Sequence, residues 1–330
     1  MLVPLRRCLI AIVLACLPAP LAFGQEAAVA APAPESATTA ATVAADAPVR
    51  TDVTTADFVR VVDQVAEFAA RHTAAGVLLV VDIDNTLLAM NQHLGSDQWF
   101  TWQDGLLKSD PDSPHLVAED FPGLLEVQGT LFALSGMHPP EPDLPEHIKA
   151  IQDIGVTTVV LTSRSDDFRN AAQRELARNG YDFAKSALRI DERRGLFLPF
   201  DPALPDAHGL SADIIETIKD RLSPVSYSGG IYMTAGQHKG HMLQTLLARA
   251  IPDDGARHES RTFRAVVFVD DHQKHTQRVH DALADSPMDL ATIRYSREDG
   301  NVAAFEASDK RQEVNGWRRL QRAIDTVLMQ

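Results

Sequence analysis

Acidic, hydroxyl and lysine side chains stand at four points of this chain where each could do chemistry. Asp82-Ile83-Asp84-Asn85-Thr86 directly follows the apolar run Val77–Val81. Thr162-Ser163-Arg164 follows Val156–Leu161, and Asp270-Asp271 follows Ala265–Val269. Lys239 opens a stretch, Gly240–Ala250, with a helical pattern. If the three runs are neighbouring strands, the carboxylates crowd together. Crowded carboxylates repel one another and take up protons unless a cation sits among them. Oxygen ligands with open positions suit Mg²⁺, which keeps waters and bridges to phosphate. The Thr162 hydroxyl, with Ser163 beside it, can donate to a phosphate oxygen. Lys239 brings a point charge, and the helix behind it brings N–H groups, to the same anion. A nucleophilic carboxylate, a second carboxylate, metal carboxylates, a hydroxyl and a lysine together suit phosphoryl transfer.

The elements that must position these residues are legible as alternation. Continuous β-branched runs suit strands buried on both faces of a parallel sheet. Helical patterns lie beside them: Phe58–Phe68, Leu144–Ile154 ending at Gly155, Asp166–Asn179 ending at Gly180, Gly240–Ala250, and His272–Ala284. Strands alternating with helices predict an α/β fold with a doubly wound, Rossmann-like parallel sheet. In such sheets ligands bind at the carboxyl ends of the strands. Residues 88–145 are too long for a simple loop and are expected to form a small cap or flap. Residues 181–235 exceed a single crossover and form a second insert. That insert holds a possible edge strand at Leu196–Phe200 and a Gly229-Gly230 pair suited to a turn or a close backbone approach.

Four motifs in this order resemble the haloacid dehalogenase superfamily. Asp82 to Thr86 matches its Asp-x-Asp-x-Thr motif after a buried strand. Thr162 matches its strand-ending hydroxyl, Lys239 its lysine at a helix start, and Asp270-Asp271 its acidic pair. The resemblance covers roughly residues 75–300. With Leu94–Phe100 it also resembles an extracytoplasmic branch of that superfamily. The resemblance implies that Asp82 attacks phosphorus and that Asp84 exchanges protons with the leaving oxygen and then with water. It implies Mg²⁺ on Asp82, the main-chain carbonyl of Asp84, and Asp270, with Asp271 ligating directly or through water. Thr162, or Ser163 in its place, and Lys239 would hold the phosphoryl oxygens of a small phosphorylated substrate. The implied activity is phosphomonoester hydrolysis. A phosphotransferase on the same scaffold and a non-catalytic envelope binding protein are the alternatives.

Other residues admit two readings. Arg164 either contacts substrate or pairs with a carboxylate. Lys185 and Lys274 are rivals for the role of Lys239. His238 and His241 flank Lys239, and His272-x-x-His275 follows the acidic pair, so a histidine metal site competes with supporting roles. Trp99, Phe100 and Trp102 are either the core of the insert or a platform over the pocket.

Composition bounds the rest. The 330 residues are 45% hydrophobic and 23% charged, which is globular composition. A net charge of −14 argues against nucleic acid as a partner. Residues 1–24 read as a secretory signal, with Arg6-Arg7 before Leu9–Leu17 and Ala22-Phe23-Gly24 at the cleavage point. A periplasmic location follows, or a lipid anchor on Cys16. The mature chain offers no membrane-spanning stretch. Cys8 and Cys16 are the only cysteines, so no disulfide is expected. Residues 25–50, rich in Ala, Pro and Thr, read as a flexible linker before a domain spanning 51–330.

Overall fold

The computed structural model describes residues 47–191, 195–204, 208–252 and 262–328. The leader over 1–24, Cys16 and most of the linker lie outside the described residues. Among the described residues the strands are β1 (Arg50–Thr55), β2 (Val77–Val81), β3 (Ala89–Met90), β4 (Met137–His138), β5 (Thr157–Thr162), β6 (Leu196–Phe197), β7 (Val225–Ser228), β8 (Ile231–Met233), β9 (Ala265–Asp270) and β10 (Asp289–Tyr295). The helices are α1 (Val59–His72), α2 (Asp97–Ser109), α3 (Phe121–Leu134), α4 (Leu144–Asp153), α5 (Arg169–Arg178), α6 (Ala212–Ile218), α7 (Lys239–Ala248), α8 (Gln273–Ala282), α9 (Asp299–Ala307) and α10 (Arg311–Leu328).

The three apolar runs form the middle of one sheet, ordered β1-β10-β9-β2-β5-β8-β7-β6. The pairs from β1 through β8 are parallel, and β7 and β6 add an antiparallel edge. This is the expected doubly wound, Rossmann-like α/β architecture. Alternation along each strand sends side chains to opposite faces. Leu79, Val81, Val267 and Val269 join a core with Phe58, Val61, Val65 and Phe68 of the α1 segment and Ile148 and Ile151 of α4. Leu78, Val80, Val266 and Phe268 join a second core with Met242, Leu243 and Leu246 of α7 and Val279 of α8. All residues of β2, β5 and β9 are buried, which explains their unbroken hydrophobicity.

Two expectations are refined. The linker read over 25–50 stops short of its predicted end. Arg50 begins β1, which pairs with β10, and the Val49 amide donates to Asp289 Oδ1 at 2.7 Å. Polar Arg-Thr-Asp-Val-Thr-Thr makes an edge strand exposed at Asp52, Val53 and Thr54, so it carries no hydrophobic signature. The Asp166–Asn179 helix opens as a 3₁₀ turn, Asp166–Phe168, before α5.

The two inserts take different places. Residues 88–145 form the β3–β4 ribbon with α2 and α3 between its strands. Trp99, Leu124, Val127 and Leu131 of these helices make a third core with Phe305 of α9 and Trp317 of α10. The second insert joins the central sheet. It extends the sheet through β6, β7 and β8, and Phe197, Phe200, Ile215 and Val225 bury in the second core. Gly229 and Gly230, both at positive φ, make the tight β7–β8 hairpin turn. A Cβ on Gly230 would lie 2.5 Å from the Phe183 carbonyl oxygen.

Candidate active site

β9, β2 and β5 are parallel neighbours, so their carboxyl ends lie side by side. Just past β2 the Asp82 amide still bonds Val269 O at 3.0 Å. The chain then turns tightly, with the amides of Thr86, Leu87 and Leu88 all donating to Ile83 O. Asn85 takes positive φ, +53°, a conformation Asn tolerates better than most residues. Ile83, Leu87 and Leu88 bury in the first core. Their anchorage fixes the loop that carries Asp82 and Asp84.

Lys239 reaches the same point from the start of α7. Gly240 lets α7 approach α8 closely: a Cβ there would lie 2.2 Å from Arg278 O. Lys239 is 1% exposed, and its Nζ lies 2.8 Å from Asp82 Oδ1 and 2.6 Å from Asp270 Oδ2. Burial alone would lower its pKa, but Asp270 and Asp82 outweigh that and raise it. Asp82 is pushed up to about 7, chiefly by burial; Lys239 opposes the shift, and Asp270 and Asp84 add to it.

Asp82, Asp270 and Asp271 each offer an oxygen within 4.8 Å of the others. Asp270 is satisfied, with Lys239 on Oδ2 and the His272 amide on Oδ1 at 3.0 Å. Asp271 accepts from Asn85 Nδ2 at 3.3 Å, but its other oxygen is buried without a hydrogen-bond donor. Burial holds its carboxyl well above the usual range. A buried orphan carboxylate oxygen beside two further carboxylates fits an oxygen-seeking cation such as Mg²⁺.

Asp84 sits on the other side of the cluster. Arg164 grips it with a fork, Nε to Oδ2 at 2.9 Å and Nη2 to Oδ1 at 2.8 Å. The guanidinium also stacks 4.0 Å from the Phe132 ring centroid. Of the two readings of Arg164, the structure contains the carboxylate pair. The Thr162 hydroxyl is buried and accepts from the Arg164 amide at 3.2 Å. Ser163 lines a cavity of about 260 Å³ together with Asp84 and Arg164. A second cavity, about 320 Å³, lies toward Asp271 and His272.

The rivals separate. Lys185 pairs with Asp153 on the surface, and Lys274 is exposed on α8. His272 groups with Asp97 and Asp271, but His275 is not among the clustered ligands. His272 Nε2 bonds Asp97 Oδ2 at 3.0 Å, which holds the imidazole up to about 10. A protonated imidazole has no lone pair for a metal. Burial drives His275 down to about 2. His238 and His241 stack with centroids 3.9 Å apart, and His238 caps α7. Trp99 is core of the insert, whereas Phe100 lines the first cavity and Trp102 the second.

Sequence reasoning missed Asn85, Asp97 and Gln128 as site residues. The Asp-x-Asp spacing brackets Asn85, and Asp97 lies within Leu94–Phe100 without a role assigned to it; nothing marks Gln128, which comes from the same insert. Fold and site together define an α/β protein with an acidic, lysine-bridged centre at the carboxyl edge of its parallel sheet. Residues 57–328 match a family described as a protein of unknown function (DUF2608), and the chain belongs to that family. No curated protein matches it. Among the described residues no helix is long and apolar enough to cross a membrane.

Proposed function

We propose that this protein is a secreted, Mg²⁺-dependent phosphatase of the haloacid dehalogenase type, hydrolysing a small phosphomonoester. One observation carries the reading: Asp82, Asp270 and Asp271 converge with Lys239 at the strand ends, and a cavity opens beside Asp84. Asp82, Asp270, Asp271 and the Asp84 carbonyl would hold Mg²⁺. When bound, the ion supplies charge neutralisation for the phosphoryl oxygens.

The chain's own residues do the rest. An Asp82 oxygen attacks phosphorus, and the bond to the leaving alcohol oxygen breaks as Asp84 gives that oxygen a proton. Water then loses a proton to Asp84 and attacks phosphorus, which frees Asp82 and phosphate. Lys239, bridging Asp82 and Asp270, offsets negative charge throughout. Thr162 and Ser163 offer hydroxyls to the phosphoryl oxygens. An arriving phosphoryl group competes for the Arg164 fork, and that frees an Asp84 oxygen to carry the proton.

The test is release of phosphate from a generic aryl phosphate by the purified protein, with Mg²⁺ and with EDTA. Activity should require Mg²⁺ and vanish in Asp82→Asn. Turnover that survives Asp82→Asn or EDTA would overturn the reading.

A further inference from the structure

The cavity beside Asp84 has a composition that selects among phosphomonoesters. The cap contributes Phe100, Phe121 and Leu125, and the loop after β5 contributes Phe168. Phe100 and Phe121 meet edge to face with centroids 6.2 Å apart. Phe121 is 47% exposed at the first helical position of α3, a large ring left open in a fold that buries most of its aromatics. Gly236 and Ala235 supply only small groups opposite.

The polar groups of the wall are two carboxylates, one guanidinium, the Ser163 and Ser165 hydroxyls and the Gln128 amide. Asp84 and Asp97 contribute carboxylates. Gln128 spends its amide donor on Gly95 O at 2.7 Å, and its carbonyl oxygen is buried without a donor. Arg164 is the one cation among the lining residues, and Asp84 already holds both prongs of its fork. Once Arg164 turns to the phosphoryl group, nothing cationic lines the cavity to receive a second anion. Size narrows the choice further. A cavity of roughly 150 Å³ lined by apolar side chains admits a benzene ring. At about 260 Å³ this one admits a ring with a short substituent.

We propose that the alcohol portion of the substrate is a compact, single-ring apolar group without a second negative charge, held between Phe100, Phe121 and Phe168. The inference rests on the phosphatase reading, because it takes the phosphoryl group to lie at Asp82. Sugar phosphates and phosphorylated carboxylic acids are poor substrates on this account: the former waste hydroxyls on aromatic walls, and the latter meet Asp84 once Arg164 has turned from it, the charge of Asp97 being already paired with His272.

The test compares three primary alkyl esters, so leaving-group basicity does not decide the outcome: 2-phenylethyl phosphate, glycerol 3-phosphate and 3-phosphoglycerate, each with Mg²⁺. The expected kcat/KM for the phenylethyl ester exceeds that for glycerol 3-phosphate by tenfold or more, with 3-phosphoglycerate slower again. Phe121→Ala and Phe100→Ala should each narrow the first ratio. Leu125→Lys should narrow the second, a relative gain that a general structural lesion does not give. Equal or faster turnover of glycerol 3-phosphate or 3-phosphoglycerate overturns the inference and leaves the phosphatase reading standing. If none of the three esters turns over, the phosphatase reading is decided by the aryl phosphate assay, and the pocket is judged by thermal shift with Mg²⁺. Stabilisation by 2-phenylethylphosphonate but not by 2-carboxyethylphosphonate supports it; the reverse, or neither, overturns it.

Discussion

Replacing Lys239 by Met tests the electrostatics of the site without presuming turnover. The ammonium is buried between Asp82 and Asp270, at 2.8 and 2.6 Å. Methionine fills much of the same volume but leaves two buried carboxylates face to face. Removing one partner of a buried ion pair destabilises by about 3–5 kcal/mol. Asp82 already stands near 7, so it escapes by taking up a proton at little cost. The uncompensated charge of Asp270 then bears most of the effect, which favours the low end, about 3 kcal/mol. At about 2–4 °C per kcal/mol for a domain of this size, the midpoint should fall by roughly 6–12 °C. The assay is thermal unfolding at pH 7 in EDTA, repeated across millimolar Mg²⁺. The cation should restore more stability to the variant than to the parent, since it replaces the lost charge. A variant within 2 °C of the parent in EDTA, or one indifferent to Mg²⁺, would refute the reasoning.

Three further outcomes are expected. Gly240→Ala drives a methyl to 2.2 Å from Arg278 O, so α7 and α8 must part. Despite the better helix propensity of alanine, denaturant unfolding should show a loss of about 2 kcal/mol or more. Arg164→Lys keeps the charge but not the fork on Asp84, so turnover should fall by about tenfold or more, read as kcat with the circular dichroism unchanged. Asp289 is buried, which raises its pKa, yet His72, the Val49 amide and Arg71 outweigh burial and hold it below the usual range. A lowered carboxyl stabilises above its unfolded value near 4 and loses that as pH falls through its folded value. Asp289→Asn should therefore be less stable than the parent by about 1–3 kcal/mol at pH 7, and the gap should close below pH 4 in urea titrations.

The central strands are legible because burial on both faces leaves an unbroken apolar run, as at Val77–Val81 and Ala265–Val269. Asp82, Asp84, Thr162 and the acidic pair are legible for the same reason, each standing where such a run stops, and Lys239 because a helix pattern begins at it. β1 carries no such signature, being a polar edge strand. β10 hides because charged Asp289 and Arg294 leave only the short run Leu290–Ile293 between them, and each finds its partner far along the chain or through a turn: His72 for one, Asp271 O and Asp299 for the other. The partner of Arg164 was not legible either, since the fork joins residues on two strand ends and depends on their register. Asp97 and Gln128 come from the 88–145 insert and reach the cavity through its tertiary packing, which spacing does not encode.

The third core has a consequence for the order in which the protein matures. Asp82, Asp84 and the helices α2 and α3 are synthesised well before Phe305 and Trp317, which complete the third core with those helices. β1 likewise waits for β10 before it can pair. The nascent chain thus carries its acidic loop through synthesis with the sheet edge unpaired and the third core incomplete. The sheet edge closes once β10 is made, and the third core once α9 and α10 follow. Contacts of such sequence separation also slow folding, so the α2–α3 helices wait for partners made much later in the chain.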